Sequence, residues 1–147
     1  MSTGSIQDLA EVNVHFKEKY PLSLSFKAGT GTFVKGLPVK VDTTADYQVI
    51  PIAAATDFPI GYVEIAEDQY GRITVNTFFT AVIEGTVKTA AIARGAEITF
   101  DGTNPSSGPP NVITSATGNV VVGRSLNNGA AVGDVIEIGI LQSPYIK

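Results

Sequence analysis

Val34-Lys35-Gly36-Leu37-Pro38-Val39-Lys40-Val41-Asp42 is echoed further along the chain by Ala93-Arg94-Gly95-Ala96-Glu97-Ile98-Thr99-Phe100-Asp101, at a constant offset of 59 residues. A basic residue precedes each glycine, an alternating apolar stretch follows it, and an Asp closes each copy. Downstream, Pro59-Ile60-Gly61-Tyr62 matches Val121-Val122-Gly123-Arg124 at an offset of 62, and Gly71 matches Gly133. The turn glycines Gly36, Gly61, Gly95 and Gly123 therefore mark a repeated supersecondary unit. In each copy a basic-Gly turn feeds a strand, an Asp-led turn reverses it, and a return strand pairs back. Neither unit buries its apolar face alone, which predicts two related units closing one small barrel. The alternation after Gly71 and Gly133 slips by one residue, so the echo weakens at its end.

The rest of the chain from Pro21 onward reads as short strands separated by turn chemistry. Leu22, Leu24 and Phe26 alternate with serines, and Leu37 to Val41 alternates likewise. Tyr47–Ile52, Ile60–Ile65, Ile73–Val75, Phe78–Val87, Ile98–Phe100, Asn111–Thr114, Val120–Leu126 and Val135–Leu141 continue the series. Asp57-Phe58-Pro59, Gln69-Tyr70-Gly71, Asp101-Gly102 and Asn127-Asn128-Gly129 punctuate it. Only Thr86–Arg94 has the composition for a short helix. The fold class expected is all-β, a small single-domain barrel or β-tulip over residues 21–147. Phe78 and Phe79 must face opposite sides of a strand, so one of them points away from the interior. Thr103–Pro110, with three Pro in eight residues, is a protruding loop that cannot pair regularly.

Residues 1–20 are read as an N-terminal arm. Ile6, Leu9, Val12 or Asn13, and Phe16 fit a helical face, whereas Val12, Val14 and Phe16 alternate as in a strand, and both readings stay open. With Lys17, Lys19 and Tyr20 they form the candidate contact residues of the arm.

Composition narrows the function. Charged residues are 16% of the chain, against roughly 25% in an average soluble protein. The surface is therefore largely Thr, Ser, Asn, Gly and Ala, which is easily desolvated in an assembly. Residues 1–40 carry five Lys against three acids, and residues 41–147 five basic against eleven acidic side chains. An acidic body argues against nucleic acid as a partner. No apolar run is long enough for a membrane helix, and the opening residues lack the pattern of a signal peptide, so synthesis in the cytoplasm without export by that route is expected.

Chemistry is sparse. The chain has no Cys and a single His, His15, which lies in the arm. Thiolate catalysis and disulfides are excluded, and a triad or His-based metal site has no rigid support. Asp42, Asp46, Glu64, Glu67, Asp68 and Asp101 fall at turns or strand ends, where such side chains bond nearby backbone. Asp101-Gly102-Thr103-Asn104 lacks the alternating oxygen ligands of a calcium loop. Gly29-Thr30-Gly31 lacks the Lys and helix of a phosphate loop. No enzyme, metal site or cofactor is expected.

The C-terminal third carries a resemblance. Ile113-Thr114-Ser115-Ala116-Thr117-Gly118-Asn119-Val120-Val121-Val122-Gly123-Arg124-Ser125-Leu126 runs into Gly133-Asp134-Val135-Ile136-Glu137-Ile138-Gly139-Ile140-Leu141. This resembles the capsid cement, or head decoration, proteins of tailed bacteriophages. Their runs are of the type Thr-Ala-Thr-Gly-Asn, two apolar residues, Gly, Arg or Tyr, Ala and Leu, followed by Gly-Asp and a final alternating strand. The likeness spans about residues 22–141. It implies a β-barrel or β-tulip structural protein on the outer capsid surface of a virion. Its partners would be the major capsid protein and itself, as a homotrimer, with neither membrane nor nucleic acid involved. The arm would add a strand to a capsid loop, main-chain hydrogen bonds supplying the affinity. The competing readings are a β-rich tail, fibre or pilin-type subunit and, less favoured, a carbohydrate-binding domain.

Overall fold

A computed structural model describes residues 23–77 and 82–147, with the side chain of Gln142 left aside. These residues form ten strands: β1 (Ser23–Ala28), β2 (Pro38–Val41), β3 (Gln48–Pro51), β4 (Gly61–Ile65), β5 (Arg72–Asn76), β6 (Val82–Val87), β7 (Glu97–Phe100), β8 (Asn111–Thr114), β9 (Val120–Ser125) and β10 (Val135–Ile146). The all-β barrel architecture expected from the sequence is what the chain adopts.

The repeat is present, but each unit closes on itself. β1, β3, β2, β4 and β5 form one closed barrel in that order, and β6, β8, β7, β9 and β10 form a second in the same order. The sharing of one barrel by the two units, expected above, is thereby corrected. Within each unit the first and third strands pair in parallel, Lys27 opposite Gln48 and Thr86 opposite Asn111. All other pairs are antiparallel. That one parallel seam lets five short strands close a ring without a partner unit.

Each ring has its own core. Phe33, Leu37, Val39, Val49, Val63, Ile73 and Val75 fill the first. Val87, Ile92, Ile98, Phe100, Val112, Val120, Val122, Ile136 and Ile138 fill the second. The inward positions are the alternate residues of each strand, as a half-buried sheet requires. The slip after Gly71 and Gly133 is real. Ile73 and Val75 point inward in β5, while Ile136 and Ile138 do so in β10, one residue further from the glycine.

The helix expected over Thr86–Arg94 is absent. Thr86 and Val87 complete β6, and the remainder is a loop whose Ile92 bridges Gly129 and is buried. Burying Ile92 as a plug of the second core outweighs the weak helical propensity of the alanines.

The turn glycines serve two physical roles. Gly36 and Gly95 have φ of +88° and +82°, and a side chain at either would meet no neighbour. They are glycines because of backbone conformation. Gly61 and Gly123 lie in strands β4 and β9 rather than in the turns expected, and they are glycines because of space. A Cβ on Gly61 would overlap the Asn76 carbonyl, and one on Gly123 the Gly139 carbonyl. Each is pressed against the last strand of its own barrel, which lets the ring close.

Candidate assembly surface

The two barrels meet through a loop of the first that enters the second. Ile52, just after β3, is buried and belongs to the core of the second barrel rather than its own. Its carbonyl accepts a 2.9 Å hydrogen bond from Asn104 Nδ2. The Val120 amide donates to the Ala55 carbonyl at 2.9 Å. Gly102, with φ +86°, sits so close to Ala53 and Ala54 that a Cβ would overlap their backbone. Tyr62 of β4 packs against the second core as well. Burial pushes its phenol pKa up, and the nearby Glu64 charge adds to the shift.

Asp57 holds the entering loop in shape. Its carboxylate accepts from the Ala53 and Ala54 amides and from Lys40 Nζ, the last at 2.7 Å. Burial works to raise the Asp57 pKa, but the Lys40 and amide hydrogen bonds and the Lys40 charge outweigh it and leave it lowered.

The loop around Thr103–Pro110, expected to protrude, is part of this junction. Asn104, Pro105 and Ser106 face Thr30, Pro51 and Ile52 across a cleft of about 520 Å³. A smaller cleft of about 190 Å³ lies between Lys35, Gly36 and Tyr62 on one side and Ile83, Glu84 and Pro109 on the other. No charged side chain lines the larger cleft, so it offers shape and apolar surface but no acid or base.

The equivalent end of the second barrel is closed by the chain's last residues. Val120 pairs with Ile146 and Val121 with Tyr145. The Gly118 amide donates to the Lys147 carbonyl, and the Lys147 amide to Asn119. Glu97 ties this end together: Lys147 Nζ lies 2.7 Å from Oε2, Tyr145 donates to Oε1 at 2.7 Å, and Arg124 is 3.3 Å away. The Lys147 and Tyr145 hydrogen bonds hold the Glu97 carboxyl below its usual value.

Three of the six carboxylates singled out in the sequence cap turns. Asp42 accepts from the amide and hydroxyl of Thr44 and from Gln48. Asp68 accepts from the Tyr70 and Arg72 amides. Asp101 accepts from the Thr103 hydroxyl, as its counterpart Asp42 does from Thr44. Glu64 instead accepts from the Ser23 hydroxyl. Among the described residues no group of three or more acidic, His or Cys side chains is placed to hold a metal ion.

The arm residues Ile6, Leu9, Val12, Val14, Phe16, Lys17, Lys19 and Tyr20 lie outside the described residues, as do His15, Phe78 and Phe79. The sequence reading missed Ile52 as an interface residue, because an isolated Ile at a strand end looks like ordinary core. It also did not foresee that Val41 would be exposed where its counterpart Phe100 is buried. No protein-family model matches the chain, and no curated protein matches it.

Proposed function

We propose that this protein is a capsid cement protein, which binds the outer face of an expanded icosahedral viral shell and clamps neighbouring major capsid subunits. The observation that carries the reading is the Thr-Gly-Asn to Gly-Asp stretch over residues 113–141, which resembles the cement proteins of tailed bacteriophages. That stretch supplies β9 and β10 and the loops around them. The low charge content, with large apolar side chains left exposed on both barrels, is in keeping with a protein that functions by contact with other subunits.

The mechanism is mechanical. A homotrimer at a three-fold site contacts several capsid subunits at once, so modest individual contacts add to a slow off-rate. Rigid closed barrels suit such a clamp, because a ring without long free edges resists deformation and stray pairing.

Co-sedimentation of the purified protein with expanded and unexpanded shells of its own virus tests the reading. Saturable binding to expanded shells, with a rise in the temperature at which those shells rupture, is the expected result. A protein that binds neither form is not a cement protein.

A further inference from the structure

The duplication allows the same outer face to be compared on the two barrels. In the first, β1 and β5 set Ser23 opposite Asn76 and Lys27 opposite Arg72. In the second, β6 and β10 set Val82 opposite Gly139 and Glu84 opposite Glu137. The neighbouring strands keep the same register, since Tyr62 pairs with Asn76 and Arg124 with Gly139. Ser23, Glu64 and Asn76 of the first barrel are therefore the counterparts of Val82, Leu126 and Gly139 of the second. Their chemistry differs. On the first barrel the Ser23 hydroxyl donates to Glu64, so the positions are polar and bonded to each other. On the second the same positions are apolar. Val82 is 53% and Leu126 48% exposed, and Leu126 lies beside Gly139, which has no side chain to cover it. Val135, two residues from Glu137 on the same face, is 47% exposed.

The charges differ as well, and in sign. Lys27 and Arg72 are both exposed and directly opposite each other, as are Glu84 and Glu137. Like charges placed opposite across a strand pair cost stability, so each barrel carries a penalty that its own fold does not require. Among the described residues none of the four side chains has an ion-pair partner. The face of the first barrel thus presents two unneutralised cations beside small polar residues. That of the second presents two unneutralised anions beside exposed apolar side chains. Both faces are open in the folded chain, so they do not cover each other.

We infer that the β6–β10 face of one copy docks on the β1–β5 face of another, with Glu84 and Glu137 against Lys27 and Arg72 and with Val82 and Leu126 as the apolar part of the contact. The occupant is a second copy because the chain itself carries the face of opposite charge, on the twin strands of its other barrel. Complementary charge of this kind sets the register and rejects the wrong pairings, which would bring two acidic or two basic faces together. Because the two faces are unlike, the contact runs head to tail, and a ring forms where the rotation closes. The inference does not rest on the cement reading, since it requires only this chain.

Analytical ultracentrifugation of the full chain tests it, with folding followed by circular dichroism. The wild type should self-associate at low salt and dissociate as added salt screens the charges. Glu84→Lys with Glu137→Lys, and separately Lys27→Glu with Arg72→Glu, should each weaken association about tenfold or more, because like charges then face each other. All four changes together exchange the signs of the two faces and should restore association. Val82→Ser with Leu126→Glu gives the second barrel the pair that the first already carries, and should weaken association while the fold is kept. A wild type that stays monomeric at low salt overturns the inference, as do charge reversals that leave association unchanged. A fourfold variant that is folded but stays dissociated also overturns it, since the two faces then do not pair with each other. Reversals that spare self-association but abolish co-sedimentation with shells assign the faces to the shell and overturn it likewise. Failure of the wild type to bind shells bears on the cement reading alone.

Discussion

Asn104 of the second barrel donates a 2.9 Å hydrogen bond to the carbonyl of Ile52, whose side chain has left its own barrel and is buried in the core Asn104 borders. Two closed rings are thereby made into one cooperative body, because the second core is incomplete without a residue of the first.

Ile52→Ala should destabilise the protein by about 2–4 kcal/mol, the range for emptying a buried aliphatic site. The loss should appear in the second barrel: amide exchange at Ile98 and Val120 should quicken more than at Val39 and Val63. Asn104→Ala should cost less, about 1–2 kcal/mol, by leaving the Ile52 carbonyl without its partner. Urea unfolding with exchange mass spectrometry separates the two. Equal quickening in both barrels would falsify the assignment of Ile52 to the second core.

The four glycines that mark the repeat should divide into two pairs. Gly36→Ala and Gly95→Ala meet no steric block and should cost about 1–2 kcal/mol each, the penalty of a left-handed conformation. Gly61→Ala and Gly123→Ala drive a methyl into backbone and should cost about 3 kcal/mol or more, or prevent folding. Thermal unfolding of the four variants gives the ranking.

Stability should fall in acid, and the sign follows from the carboxylates. Asp42, Asp57 and Glu97 all have folded-state pKa values below their ordinary ones. Their contribution is complete above the unfolded-state value of about 4 and is lost as pH drops through the lowered folded values. For Asp42 the cause is chiefly the Thr44 hydroxyl, then Gln48 and the Thr44 amide. A melting temperature that is flat from neutral pH to about 5 and declines below about 4 is expected. In Asp57→Asn the acid decline should be shallower.

Ser115 Oγ is buried and has no hydrogen-bond partner among the described residues. Ser115→Ala removes an unsatisfied polar atom at nearly constant volume and should be neutral or stabilising by up to about 1 kcal/mol. A lower melting temperature for that variant would show that the hydroxyl has a partner after all.

Most strand positions, the turn glycines Gly36 and Gly95 and the turn-capping Asp residues were legible in the sequence, since each is set by local chemistry; Gly61 and Gly123, read as turn glycines, lie in strands. Alternation fixes which side chains can share a face, a left-handed backbone selects Gly36 and Gly95, and Asp42 and Asp101 bond a Thr two residues on. The Thr86–Arg94 helix failed because Ile92 gains more by plugging the core of its own barrel than local propensity gains from a helix. The exposure of Val41 against the burial of Phe100 was not legible at all. Val41 and Phe100 are both apolar strand-end residues, and only the loop lying over one of them makes their environments differ.

The sequence by itself determined an all-β chain, its run of short strands and its internal duplication, because periodicity and turn chemistry act over a few residues. Only the tertiary structure decided that each unit closes its own barrel and that Ile52 crosses between them. An alternating strand has the same pattern whether it completes its own ring or its twin's. The choice is made by contacts far apart in sequence: the Lys27–Gln48 and Thr86–Asn111 parallel seams, and the close backbone approach at Gly61 and Gly123.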